Sequence, residues 1–399
     1  MPRVVSESVV MALPEVYVVG AKRTPVGAFQ GVLKSKPATE LGAHAITAAL
    51  THARLRPECV DEVILGNVIA AGLKQAPARQ AMRVAKLPDS VGATTVNKVC
   101  GSGMKATMLG ADLIRAGSAN VVVSGGMENM TLAPYLLAKA RGGLRMGHGE
   151  IKDTMFLDGL EDADTGRAMG TFAQATADAH QLTREEMDAY AATSASRAIF
   201  ALDTGALADE TAPIETDGAW VVEDETPRRV KVERIPTLKP AFKDGGTITA
   251  ANSSSISDGA SALVLANADT VTREGLTPLA RIVGHATHSQ APALFTTAPA
   301  FAIRKLLERL QWRTADVDLF EINEAFAMVT MLAIRDLGLD AAKVNAYGGA
   351  CAQGHPIGST GSRLIVTLIH ALCRENKRRG IASLCIGGGE ATAIALERL

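Results

Sequence analysis

AITAALTHARLRPECVD, residues 45–61, and AIRKLLERLQWRTADVD, residues 302–318, are each seventeen residues long, begin with Ala-Ile and end in Val-Asp. In both, apolar residues at helical spacing give way to a polar turn and then to an apolar strand, 60–68 in the first case and 317–322 in the second. The match continues downstream. VNKVCGSG from Val96 has its counterpart in VNAYGGACAQGHPIG from Val344, and VVVSGGME at 121–128 corresponds to SLCIGGGE at 383–390. The chain therefore reads as two copies of one unit of alternating strands and helices, which predicts a layered α/β fold. Packed about a pseudo-twofold axis, the copies bring the loop carrying Cys100 toward the loop carrying His355, and the second glycine-rich strand brings Cys385 with it.

In chain order, the pattern predicts a strand at 16–20 closed by a turn at Arg23-Thr24-Pro25, and a helix from about Thr39, with Thr39 as its cap. A helix at 77–85, a strand at 94–99, a helix at 103–116 and a strand at 120–124 ending in Gly125-Gly126 follow. The second copy has a strand at 279–283 and a helix at 300–310. We divide the chain into a first half at 1–128, an insertion at 129–256, a return to the first half at 257–278 and a second half at 279–399. Within the insertion, 138–158 is rich in Gly, Arg and Lys without periodicity, which suits a long excursion or a subunit contact. A helix from Thr183 to Phe200 carries a Thr183/Glu186 capping box. The segment from Pro227 to Gly259 joins a basic run, open to phosphate binding or simple solvation, to a small polar loop.

At 399 residues the chain can bury a large core, and 47% hydrophobic with 21% charged residues fits a globular protein. A formal charge of −1 offers no general attraction to nucleic acid or to an anionic membrane. No run reaches the roughly 18–20 apolar residues of a membrane span. Cysteines at 59, 100, 351, 373 and 385 form neither a CxxC pair nor a disulfide framework, so a reducing compartment and no metal site are expected. Residues 1–13 lack a basic start and a small-residue cleavage site. Together these point to a cytoplasmic protein with a small-molecule partner.

Four features carry possible chemistry: Cys100 at the start of a helix, Asn323-Glu324-Ala325-Phe326 at a strand end, Gly354-His355-Pro356, and Cys385 before Gly387-Gly388-Gly389. Singly, each has an ordinary structural explanation: a small core thiol, a helix cap, a surface imidazole. In matching loops of two repeats they form a nucleophile with a base. Thiol attack on a thioester needs an imidazole to take the proton and donors to hold the oxyanion, and a second cysteine adds a proton-transfer group for carbon-acid chemistry. A helix N-terminus would also favour the Cys100 thiolate.

At this point the sequence resembles the thiolases, the acetyl-CoA acetyltransferases and 3-ketoacyl-CoA thiolases, from about Val16 to the C-terminus. NKVCGSGMKA at 97–106, GGMENM at 125–130, NEAFA at 323–327, GGACAQGHPIGSTG at 348–361 and CIGGGEA at 385–391 carry the resemblance. It implies a duplicated α-β-α-β-α layered fold with an inserted loop domain. It also implies Cys100 as the acyl-accepting nucleophile, His355 as its base and Cys385 as the acid/base at the acetyl carbon. One oxyanion hole would come from His355 with a water on Asn323, the other from the N–H groups of Cys100 and Gly387. Coenzyme A would run along Leu160, Met169, Phe242, Ala250, Ser254, Ala325 and Phe326, as substrate, with no tightly bound cofactor. The implied reaction is a ping-pong Claisen condensation of two acetyl-CoA to acetoacetyl-CoA and its thiolytic reverse.

The resemblance has departures. Ala168 stands where short-chain members carry histidine, NSSS from Asn252 replaces Asn-Ala-Ser-Gly, and HSQAPALFTTAPA at 288–300 departs from the common pattern. A longer-chain 3-ketoacyl-CoA thiolase is the alternative enzyme. Cys385 argues against a carrier-protein-dependent ketoacyl synthase. A silent thioester-binding or lipid-carrier homologue is the alternative from another class. LAKARGGLRMGHGEIKDTMFLDGL at 137–160 resembles the loop that joins two thiolase dimers, implying a homotetramer.

Overall fold

The computed structural model describes residues 14–399, so the leader at 1–13 read above lies outside the described residues. Nine main strands build one sheet: β1 (Val16–Arg23), β2 (Glu62–Gly66), β3 (Gly92–Val96), β4 (Val121–Asn129), β5 (Ser257–Asn267), β6 (Ala280–Ser289), β7 (Leu319–Ile322), β8 (Arg379–Ile386) and β9 (Glu390–Arg398). Their order is β7-β8-β9-β6-β1-β5-β4-β2-β3. The repeat is visible in that order, because β1, β2, β4 and β5 occupy the places in one half that β6, β7, β8 and β9 occupy in the other. The halves meet where β1 pairs antiparallel with β6 through only Tyr17↔Arg281 and Val18↔Ala280. The partner of β3 in the second copy is reduced to a single bridge between Phe320 and Val344.

The helices make the layers. α1 (Ala38–Ala53) and α2 (Pro77–Val84) cover the outer face of the first half, and their alanines, leucines and Met82 share a core with Val63, Val121, Val123 and Val264. The second half is covered by α3 (Ala298–Leu310) and α4 (Ala327–Leu337) around Phe320, Ile322 and Ile381. Between the halves lie α5 (Ser102–Arg115) and α6 (Thr360–Arg374), packed on each other and on both halves through Met104, Met108, Leu364, Ile365 and Leu368. Twelve of the fifteen residues of α6 are buried, the pattern of a helix with protein on every side. The layers are thus α-β-α-β-α. Both reactive loops open onto the N-terminal ends of the two central helices, so the duplicated unit places them face to face.

Three local expectations are corrected. Thr39 lies inside the first turn of α1 and makes no cap: the helix starts at Ala38 after Pro37, whose φ of −54° already has the helical value. β4 does not stop at Ser124 but runs through Gly125 and Gly126, which pair with Ala262 and Ser261. A Cβ on Gly125 would stand 2.1 Å from the Ser261 carbonyl oxygen and one on Gly126 2.0 Å from that of Gly358, so the two glycines permit close packing rather than end the strand. Met169–Ala179, to which no element was assigned, is a helix, α7. The following helix, α8 (Arg184–Asp203), does begin with the Thr183/Glu186 capping box. In the basic run, Arg228 pairs with Asp203 and Glu223, Arg229 with Glu225, and Lys243 with Asp178 at 2.8 Å, so these cations already have carboxylate partners.

Candidate active site

Cys100 sits on a sharp turn between β3 and α5. Val99 has φ of +47°, a conformation that costs a β-branched residue about 1–3 kcal/mol. Local bonds hold it there: Val99 N–H donates to Asn97 Oδ1 at 3.0 Å, Lys98 N–H to Ser102 Oγ at 2.8 Å, and Ser102 Oγ–H to the Val99 carbonyl at 2.6 Å. The sulfur lies near its own backbone N–H and that of Gly387 from the second copy, and both favour its thiolate form. Two donors from opposite halves therefore lie near one sulfur.

The expectation that the helix start lowers the Cys100 pKa is corrected. Burial pushes the thiol up to about 11, and the N–H groups of Gly387 and Cys100 offset only part of that. Desolvation of a thiolate in an apolar cavity outweighs the helix-end dipole. Cys100 is thus a neutral thiol at neutral pH and needs a base. Its alkylation by iodoacetamide, followed by mass spectrometry, is expected to accelerate steadily into the alkaline range. A plateau from about pH 5 to 8 would instead mean a thiolate–imidazolium pair.

His355 supplies the base. Its Nδ1 lies 2.6 Å from Thr360 Oγ1, and that hydroxyl donates its own proton to the Pro356 carbonyl at 3.0 Å. With the threonine proton committed, Nδ1 must carry the imidazole hydrogen, and the network assigns the lone pair to Nε2. Nε2 is buried without a partner among the described residues. Burial, and next the Arg363 guanidinium, depress the His355 pKa to about 3, so the ring is neutral across the physiological range.

Asn323 is fully buried, and neither its amide oxygen nor its amide nitrogen has a partner among the described residues, a costly arrangement for a group that binds nothing. Its backbone N–H is fixed by the Ser383 carbonyl at 3.0 Å, two residues before Cys385 on the neighbouring strand. Cys385 is also fully buried, and its pKa is raised well above the ordinary thiol value by desolvation and then by the adjacent Cys100. Glu324 has a different task. Its carboxylate accepts from Tyr190 Oη at 3.0 Å, Ser194 Oγ at 2.7 Å, Asn345 Nδ2 at 2.8 Å and the Cys351 N–H at 3.1 Å, anchoring α8 of the insertion to the second half.

A cavity of about 400 Å³ ends on Cys100, His355 and Gly387. All seven residues expected along the coenzyme A path line it: Leu160, Met169, Phe242, Ala250, Ser254, Ala325 and Phe326. Asn323 and Cys385 are fully buried and are not in its lining. Ser254 joins the insertion to the second half by donating N–H and hydroxyl to the Ala325 carbonyl at 3.0 and 3.1 Å. Sequence reasoning missed Met130, Phe156 and Ile357 in the wall. The unusual 288–300 stretch contributes Phe295, and Ala168 also lines the cavity. A larger groove, about 680 Å³, lies on the outer face of α1 and contains none of these residues.

Residues 16–269 match the thiolase N-terminal domain family and residues 276–398 the thiolase C-terminal domain family. The chain belongs to the thiolase family. This thiolase is 47% identical to an acetyl-CoA acetyltransferase of Pseudomonas aeruginosa over 392 residues, 97% of this chain and 100% of the relative. It is 46% identical to one from Schizosaccharomyces pombe over 98% of this chain and 100% of that relative. Among solved structures it superposes on the Acat5 thiolase of Ascaris suum in complex with coenzyme A at 40% identity and TM-score 0.93, covering 96% of this thiolase and all of the other chain. Human mitochondrial 3-ketoacyl-CoA thiolase in complex with CoA superposes equally well, at 39% identity and TM-score 0.93 over 97% and 98% of the two chains. Backbone similarity therefore does not favour one of these two structures over the other.

Proposed function

We propose that this thiolase is an acetyl-CoA C-acetyltransferase that interconverts two acetyl-CoA with acetoacetyl-CoA and CoA through an acyl-Cys100 intermediate. The observation that carries the reading is one cavity that ends on Cys100 and Gly387, with the backbone N–H groups of both, and on His355, whose Nε2 has no partner among the described residues. In acylation, Nε2 takes the Cys100 proton as the sulfur attacks the thioester carbonyl. The two N–H groups receive the developing oxyanion, and CoA leaves with the proton from His355. In condensation, Cys385, once its own proton has passed to solvent, removes as thiolate a proton from the methyl group of the second acetyl-CoA. The resulting carbanion attacks the acetyl group on Cys100, and the Cys100 thiolate is released and takes a proton from solvent. Its raised pKa makes the Cys385 thiolate a strong base and, in thiolysis, makes its thiol a proton donor that stays protonated until needed. Asn323 with His355 would hold the thioester oxygen of the incoming acetyl-CoA.

Cavity size favours short acyl groups. About 400 Å³ is near the small end of small-molecule sites, and it must take a pantetheine arm as well as the acyl chain. The phenyl rings of Phe242 and Phe295 each pack edge to face with that of Phe326 in its wall, with centroids 6.1 and 6.4 Å apart. Thiolysis is expected to show a kcat/KM for acetoacetyl-CoA at least about tenfold above that for a 3-keto C8 ester, since each surplus methylene that finds no room costs on the order of 1 kcal/mol. A preference for the C8 ester would establish the longer-chain reading instead. The same proposal includes a cytoplasmic homotetramer, supported by exposed Leu132, Tyr135, Leu144, Met146 and Ile151 on the excursion after β4.

A further inference from the structure

Glu128 and Glu390 occupy the same position in the two copies, as the last residue of VVVSGGME and of SLCIGGGE. Each reaches across to the other copy's reactive loop. Glu128, fully buried, accepts through Oε2 from the N–H of Gly358, 2.9 Å away and three residues beyond His355. The same carboxylate gathers the Asn67 amide at 2.8 Å and the N–H groups of Val68 and Ile69 at 3.0 and 3.3 Å. Glu390 pairs with Lys98, two residues before Cys100, and accepts from Ser289 Oγ at 2.9 Å. It also closes the glycine turn of the β8–β9 hairpin, where it pairs with Ile386, so it stands three residues from the Gly387 N–H that faces the Cys100 sulfur. A Cβ on Gly389, within that turn, would lie 2.3 Å from the Gln290 carbonyl oxygen, which fixes the turn from its other side.

We infer that Glu128 and Glu390 are reciprocal positioning residues: the first copy's glutamate holds the His355 loop, and the second copy's glutamate, through Lys98, holds the Cys100 loop against the Gly387 donor. Neither carboxylate touches the reacting atoms. The Lys98–Glu390 pair is partly exposed, with side-chain exposures of 20% and 30%, and a pair of that kind adds little to stability. Its consequence is geometric, because it ties the loop bearing the nucleophile to the turn bearing one of the oxyanion donors. A misalignment there weakens transition-state stabilisation more than substrate binding.

The inference rests on the proposed acylation of Cys100, and the test separates the two. Rapid-quench mass spectrometry measures acetylation of Cys100 by acetyl-CoA in the parent, in Lys98→Gln, in Glu390→Gln and in the charge-swapped Lys98→Glu/Glu390→Lys double variant. Each single variant is expected to acetylate roughly tenfold more slowly, with the KM for acetyl-CoA within about twofold and the Tm unchanged, and the double variant to recover most of the rate. Single variants acetylating at the parental rate, or a double variant no faster than the singles, would overturn the inference. An unacetylated Cys100 in the parent would overturn the functional reading on which it rests. For the other arm, Glu128→Gln turns one acceptor oxygen into a donor facing backbone N–H groups. It is expected to slow acetylation at least as much, with a loss of Tm because Glu128 is buried; an unchanged acetylation rate would refute that arm.

Discussion

Cys385→Ala is expected to acetylate at Cys100 within about tenfold of the parental rate while condensing acetyl-CoA roughly 10²–10⁴-fold more slowly. The two reactions use different groups. Acylation needs the Cys100 sulfur, His355 Nε2 and the N–H groups of Cys100 and Gly387, and Cys385 is no part of that set. Carbon–carbon bond formation needs a base at the methyl group of the second acetyl-CoA, and Cys385 is the remaining thiol close enough to Cys100 for the two to perturb each other. Packing changes little, since alanine leaves a hole of about one sulfur atom beside Phe326, Met328 and Val329. Burst acetylation and steady-state condensation on the same sample decide the matter. Equal loss of both steps would show that Cys385 supports the Cys100 site as a whole.

His355→Ala is expected to slow acetylation of Cys100 by roughly 10²–10⁴-fold, because a thiol held near pKa 11 contributes almost no thiolate at neutral pH without a base. Thr360 should grade this effect. Thr360→Ser keeps the hydroxyl that accepts from Nδ1 and is expected to stay near the parental rate. Thr360→Val removes it, frees the ring to place its hydrogen on Nε2, and is expected to cost at least about tenfold in acetylation rate. The pH dependence has a definite sign. With the His355 pKa depressed to about 3, the base is present above that value, so acidification to about pH 5 should not by itself remove it. A rate that falls on titration of a group near pH 6.5 would mean that His355 ionises as an ordinary imidazole. Thr360→Ser and Thr360→Val behaving alike would remove the threonine from the scheme.

Much of the fold was legible because its signals are short-range. The apolar periodicity of α1, α3 and α5 and the Thr183/Glu186 capping box concern residues within a turn or two of one another, and the repeat of 45–61 in 302–318 shows in a direct comparison of the two stretches. Errors came where a distant surface decided. Gly125-Gly126 looks like a strand end in isolation, and only the backbones of β5 and of Gly358 lying against it explain why the strand continues. The pocket wall was half legible: the seven residues named from the resemblance line it, whereas Met130, Phe156, Phe295 and Ile357 lie in the stretches 125–130, 137–160, 288–300 and 348–361, and only the fold turns them into the wall.

By itself, the sequence determined the duplicated α/β architecture and the cast of reactive residues, because periodicity and motif spacing are properties of neighbouring positions. The tertiary structure alone decided their chemical state. Placement at a helix start argued for an acidic thiol, and burial in an apolar cavity made it a weak one; a glycine-rich loop suggested an exposed imidazole, and Thr360 with burial made it a neutral base with its lone pair on Nε2. Solvation and hydrogen-bond partners are set by whatever the rest of the chain packs against a group, and for Cys100 and His355 that is largely the opposite copy of the repeat.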